Sequence, residues 1–168
     1  NNFISIIMPI YNEEKVIRDV IISLLNQKVG DYKLEILAID GRSTDSTPSL
    51  IKDLAKYDKR VIYVYNDMKK TPFAFNIGLK KSKGDYIAIL GAHTVYKSDY
   101  IRVCIEELEK TGSVGCSGRV FTMSKNKDDK SFLVLWLLKS KFGVSGNSFR
   151  TIKVGYANSI PYPVFKKN

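Results

Sequence analysis

Histidine occurs once in the 168 residues, at His93, and cysteine twice, at Cys104 and Cys116. One histidine excludes a multi-histidine metal centre, and two cysteines are too few for a disulfide framework or a cysteine cluster around a metal. Both read as small buried hydrophobes in a reducing compartment. Long apolar runs are also missing. The longest, Phe132 to Leu138, has seven residues, well short of the roughly 18 that suggest a membrane span. It reads as a core or interface helix, and its basic flanks leave a surface-lying helix open. No glycine-rich phosphate fingerprint follows a candidate strand, which argues against NAD and ATPase chemistry. No basic leader or cleavage site precedes the first strand, so a cytoplasmic chain is expected. With no internal repeat or linker, the length suits one domain, residues 1–168.

Acids are scarce in one region only. Residues 1–112 hold 17 Lys+Arg against 15 Asp+Glu, whereas residues 113–168 hold 10 against 2, so +8 of the net +10 sits in the last third. A basic segment beside a near-neutral body suits an anionic ligand, an anionic membrane surface or a nucleic acid. No nucleic-acid-binding motif accompanies the charge, so a nucleic-acid partner is not expected.

What is present alternates between two periods. Phe3–Pro9, Leu34–Ile39, Val61–Tyr65 and Tyr86–Leu90 are short apolar runs of the kind buried on both faces of a sheet. Between them, Val16, Ile17, Val20, Ile21, Leu24 and Leu25 recur at helical spacing, as do Leu50, Ile51, Leu54 and Ala55, and after the fourth run Ile101, Cys104, Ile105 and Leu108. Asn12 is expected to cap the first helix, with Glu13 and Glu14 in its first turn, and Pro48 suits an early helical position. A short helix is expected over Phe73–Lys81 and a further strand over Ser113–Phe121. Strands alternating with helices predict an α/β fold with a mostly parallel sheet.

In such a sheet the loops after the strands open on one edge, where α/β folds bind ligands. Tyr11 there can stack or hydrogen-bond, and Asp40 can accept hydrogen bonds from a base or ribose. The stretch Asp40–Asp45 reads equally well as a helix-capping loop. His93 follows the fourth strand with Gly91 and Ala92. A lone histidine is more often structural than catalytic, and its position keeps both roles open. Lys69 and Lys70 follow the third strand and can meet phosphate oxygens, although solvation is the ordinary role of a lysine. Arg119, Lys139, Lys141 and Arg150 stay undecided.

Four ordered motifs, PIYNEE (9–14), IDGRSTDST (39–47), FAFNIGLKKSKGDYIAIL (73–90) and GAHTVYKSDYI (91–101), resemble the family 2 glycosyltransferases, and within them the bacterial succinoglycan-type exopolysaccharide transferases. The resemblance implies a GT-A fold, a nucleotide-diphospho-sugar donor, and inverting transfer of a sugar to a lipid-linked or polysaccharide acceptor at the inner membrane face. By it, Pro9, Tyr11 and Glu13 match the donor-binding first loop and Asp40 the acid that reads the base. Asn76 and Gly78 match an N-x-G element, and Gly91, Ala92 and His93 match the Mg²⁺- or Mn²⁺-binding motif. Gly146, Asn147, Phe149 and Arg150 match a later element on the acceptor side.

Two departures shape the expectation. The motif's first carboxylate is Gly91 here, and imidazole substitutes poorly for an oxygen ligand of a hard cation. The general base, carried in the family within a Glu-Asp pair, has no counterpart: residues 113–168 offer only Asp128 and Asp129, and Asn158 and Pro163 stand where the family has an acid and a glycine. The chain is thus expected to be the donor-binding portion of a longer enzyme, transferring weakly or not at all. The alternative is a non-catalytic nucleotide-sugar or membrane-surface binding module.

Overall fold

The computed structural model describes residues 2–118, 120, 155, 156 and 159–167. Contacts divide the chain into two units, Asn1–Cys116 with Tyr162–Asn168, and Ser117–Pro161. Nearly all of the second unit lies outside the described residues, among them Asn147 and Arg150.

The first unit alternates β1 (Phe3–Ile10), α1 (Ile17–Leu25), β2 (Lys33–Asp40), α2 (Thr47–Tyr57), β3 (Val61–Tyr65), α3 (Thr71–Lys81), β4 (Tyr86–Ile89) and α4 (Tyr100–Thr111). Short strands β5 (Gly115–Cys116) and β6 (Val164–Lys166) complete a six-stranded sheet ordered β3-β2-β1-β4-β6-β5. β1 to β4 are parallel, and β6 runs antiparallel to β4 and β5. Alternation along β1 sends Ile4, Ile6, Met8 and Ile10 into a core with Ile17, Ile21 and Leu24 of α1, Ile51 of α2 and Ile101, Cys104, Ile105 and Leu108 of α4. Ile7 faces the other way, with Leu37, Ile39, Val64 and Ile87, onto α3. Burial of both sheet faces explains why the strands read as continuous apolar runs.

Close approach sets two positions at the α3 side. A Cβ on Gly78 would lie 2.5 Å from Ile7 Cγ2, so only glycine lets α3 sit this low on β1. At the amino edge the Ser5 hydroxyl donates to buried Glu35 (2.7 Å) and accepts the Gly84 amide (2.8 Å), while the Lys83 amide donates to both side chains. This knot fixes the turn from α3 into β4.

The predicted helix start differs from the observed one. α1 begins at Ile17, with Asn12 at φ 54° in the preceding loop and Glu13 and Glu14 outside the helix. Their hydrogen bonds go to the β2–α2 loop instead, so a tertiary partner outcompetes the cap. Of the strand expected over Ser113–Phe121, only Gly115–Cys116 forms among the described residues.

Candidate functional site

Parallel pairing sets Ile10 opposite Asp40, and Asp40 opposite Tyr65, which brings the carboxyl ends of β1, β2 and β3 to one edge. The loops leaving that edge bind one another. The Asn12 amide donates to Ser43 Oγ (2.8 Å), and Asn12 Oδ1 accepts the Thr44 amide (2.8 Å). The Glu13 amide donates to Thr47 Oγ1 (2.8 Å), the Glu14 amide to Asp45 (3.2 Å), and the Ser46 amide returns to Glu14 (3.1 Å). Asp45 sits below its ordinary 3.8: desolvation pushes it up, but hydrogen bonds from the Thr47 hydroxyl and amide and from the Glu14 amide outweigh that.

Asp40 is 1% exposed, with Oδ1 accepting the Ser43 amide (3.2 Å) and Oδ2 the Tyr63 hydroxyl (3.1 Å). Burial and the Asp40 charge push the Tyr63 hydroxyl up to about 12. The Asn66 amide donates to the Asp40 carbonyl (2.8 Å), and a Cβ on Gly41 would lie 2.8 Å from the Lys69 carbonyl. The third loop is thereby seated against the second. Lys69 (φ 58°) and Lys70, both exposed, lead directly into α3.

The β4–α4 loop reaches the same edge. His93 Nε2 lies 2.7 Å from Glu13 Oε1, with the histidine side chain 76% exposed and the glutamate 13%. Three further anchors hold this loop. The Gln27 side chain donates to the Lys97 carbonyl (2.7 Å), the Lys28 amide donates to the Ser98 carbonyl (2.6 Å), and Tyr96 Oη accepts the Gly91 amide (2.8 Å) while donating to the Gly91 carbonyl (3.2 Å). Burial pushes the Tyr96 hydroxyl well above its ordinary value. Sequence reading passed over Gln27 and Tyr96. The available signal was a polar residue closing an apolar helical stripe and an aromatic within a polar loop.

Tyr11 (half exposed), Glu13, Asp40 and His93 therefore share one rim with Lys69 and Lys70. Pro9 is partly buried within β1. Ala92 is 5% exposed and belongs to the core, and Asn76 is exposed on α3. Pro163 adjoins the rim, its carbonyl accepting the Ile89 amide (2.9 Å).

The donor set does not fit a hard divalent cation. No group of three His, Cys, Asp or Glu able to hold a metal occurs among the described residues, and the carboxylate beside His93 is already engaged with its imidazole. Two open cavities, of about 420 and 550 Å³, flank β2 and β3, the first reaching along β3 to Tyr63 and Tyr65 and the second lying at the amino edge beside Phe3, Lys33 and Arg60. They share Glu35, Ile62 and Lys83.

A parallel sheet of this order, with its loops gathered at the carboxyl edge, has the GT-A glycosyltransferase fold. Solved structures bear this out. The mannosyltransferase PcManGT from Pyrobaculum calidifontis, in complex with GDP-Man and Mn²⁺, superposes with a TM-score of 0.63 at 22% identity, over 81% of this chain and 38% of that one. S. aureus TarS residues 1–349 give 0.62 at 17% identity, over 99% and 47%. The model of glycosyl transferase family 2 matches residues 5–158, and the chain belongs to that family. Its curated relatives include a Methanococcus voltae protein named dolichyl N-acetyl-alpha-D-glucosaminyl phosphate 3-beta-D-2,3-diacetamido-2,3-dideoxy-beta-D-glucuronosyltransferase, 34% identical over 98% of this chain and 53% of its own length. Another is the chondroitin synthase of Escherichia coli, 30% identical over 78% of this chain and 18% of its own. The chain thus spans about half of the first relative and less than a fifth of the second.

Proposed function

We propose that this chain is the donor-binding part of a nucleotide-sugar-dependent, inverting glycosyltransferase whose acceptor is lipid-linked or a polysaccharide, working at the inner face of a membrane. On its own it binds donor weakly and transfers poorly. The observation that carries the reading is the mutual bonding of the β1, β2 and β4 loops into one rim. Tyr11 offers a ring to a base, Asp40 organises the turn beneath it, and Lys69 and Lys70 offer cations to a diphosphate. The relatives' names support sugar transfer, and the glucuronosyltransferase supports a lipid-linked acceptor.

Inverting transfer has the acceptor hydroxyl attack the anomeric carbon while a carboxylate takes its proton and donors neutralise the leaving diphosphate. General-base help contributes about 10²- to 10⁴-fold. Among the described rim acids, Glu13 is bound to His93, Asp40 to Ser43 and Tyr63, Asp45 to the Glu14 and Thr47 amides, and Asp67 to Arg42 (3.8 Å). Glu14 likewise accepts the Ser46 amide, so each of these acids already holds a partner, which supports poor transfer. Mg²⁺ or Mn²⁺ would have His93 and the donor's own oxygens to bind, so its affinity is proposed to be low.

Calorimetry of the full chain against UDP- and GDP-sugars, with and without Mn²⁺, tests this. Weak saturable binding with little turnover is expected. Absence of binding to any nucleotide would remove the donor reading, and tight metal-dependent binding with turnover would remove the claim of poor transfer. The second reading, a membrane-surface module, is favoured by the +8 carried by residues 113–168. It predicts salt-sensitive sedimentation with anionic liposomes in the absence of nucleotide binding. No helix among the described residues is long and apolar enough to cross a membrane.

A further inference from the structure

The missing carboxylate at the end of β4 is accompanied by an aromatic ring. A Cβ built on Gly91 would lie 3.3 Å from Tyr162 Cε1 and 4.0 Å from its Cδ1. The backbone that carries the ring is held in place. The Tyr162 carbonyl accepts the Tyr100 hydroxyl at 2.8 Å, and its backbone holds φ 50°, a conformation unusual for any residue but glycine. The next residue is Pro163, whose carbonyl is fixed by the Ile89 amide. On the ring's other flank Tyr96 packs edge-on, with centroids 5.7 Å apart and planes at 86°, and Tyr96 itself stacks at a tilt on Tyr100 (5.4 Å, 51°). The Tyr96 hydroxyl closes the arrangement by bonding both the amide and the carbonyl of Gly91. Tyr96 and Tyr162 therefore clasp Gly91, Tyr100 braces both, and side-chain volume at that glycine meets the Tyr162 ring at 3.3 Å.

We propose that Gly91 and Tyr162 form a matched pair: the ring takes the room a metal-binding carboxylate needs at the strand end, so the rim is built to receive an anionic diphosphate without a carboxylate-held divalent cation. The statement about diphosphate rests on the donor-binding reading above. The statement about the pair does not. It follows that Gly91→Asp alone does not create a Mn²⁺ site, because the new side chain has to displace the clasp. Tyr162 acts as a positioning residue through Tyr96, on which its ring packs and whose hydroxyl holds the Gly91 backbone.

The test is a Mn²⁺ titration followed by electron paramagnetic resonance on the wild-type chain, Gly91→Asp, Tyr162→Ala and the double variant, with thermal melts alongside. The expected result is unchanged Mn²⁺ affinity and a lowered Tm for Gly91→Asp, and at least a tenfold gain in affinity for the double variant. A gain by Gly91→Asp equal to that of the double variant would overturn the pairing, as would a folded double variant with no gain. If the double variant does not fold, Gly91→Ala decides: its Tm must fall in the wild-type background and fall less when combined with Tyr162→Leu. Equal falls overturn the proposal. Nucleotide binding is measured separately on the wild type with and without EDTA. Its absence counts against the donor reading alone, and its dependence on the cation counts against the metal-free rim.

Discussion

Thr47 is fully buried, and its hydroxyl serves two loops at once, accepting the Glu13 amide at 2.8 Å and donating to Asp45. Replacing it with valine keeps the shape and strands both partners, which should destabilise by about 1–3 kcal/mol in urea denaturation and also weaken nucleotide binding. Ser5→Ala is the control at the opposite edge. It removes the hydroxyl from buried Glu35 and from the Gly84 amide, with an expected cost again of about 1–3 kcal/mol but no change in nucleotide affinity. Tyr63 adds a pH signature. Its folded-state value, near 12 against an ordinary 10, is raised, so its contribution is complete below pH 10 and is lost as pH rises through 12. Wild-type stability should therefore fall across that window more steeply than that of Tyr63→Phe, read by denaturation at fixed pH steps. At this scale a sequence displays residue types more readily than what they touch. Glu13 and His93 are each visible in a motif, but their contact depends on β1 and β4 being neighbours in the sheet.

Among the elements, α3 shows how local pattern and packing combine. Thr71-Pro72 opens it, with proline at an early position that needs no amide hydrogen, and Gly78 lets it approach β1. Gly78→Ala should cost about 1–3 kcal/mol through overpacking against Ile7, measured as a lower denaturation midpoint. The strand at Val61–Tyr65 was legible to the residue, because β-branched and aromatic side chains between polar turns leave few alternatives. The start of α1 was not legible. Asn12-Glu13-Glu14 satisfies the local rules for a helix cap, yet the same side chain and backbone groups bind the Ser43–Thr47 loop, and only the sheet register reveals that competitor. β6 was missed for a different reason. Three residues following Pro161-Tyr162-Pro163 carry no periodicity of their own, and the strand exists because β4 supplies an unpaired edge.

For the whole molecule, the near-neutral first 112 residues supply the four parallel strands and the rim loops, while the short strands β5 and β6 and the basic excess come from residues 113–168. If that excess serves a membrane surface, anionic vesicles should bind the chain in a manner abolished by high salt, and excess nucleotide should not displace them. Vesicle binding that persists in high salt would speak against an electrostatic surface. The central claim is that the loops after β1, β2 and β4 form the donor site. The most direct measurement is an amide NMR titration of the full chain with UDP and GDP. The account predicts saturable shifts concentrated at Tyr11–Glu14, Gly41–Thr47 and Gly91–Lys97, with Lys33, Lys59 and Lys83 at the opposite edge unmoved. Shifts confined to that opposite edge, or none at either nucleotide, would contradict it.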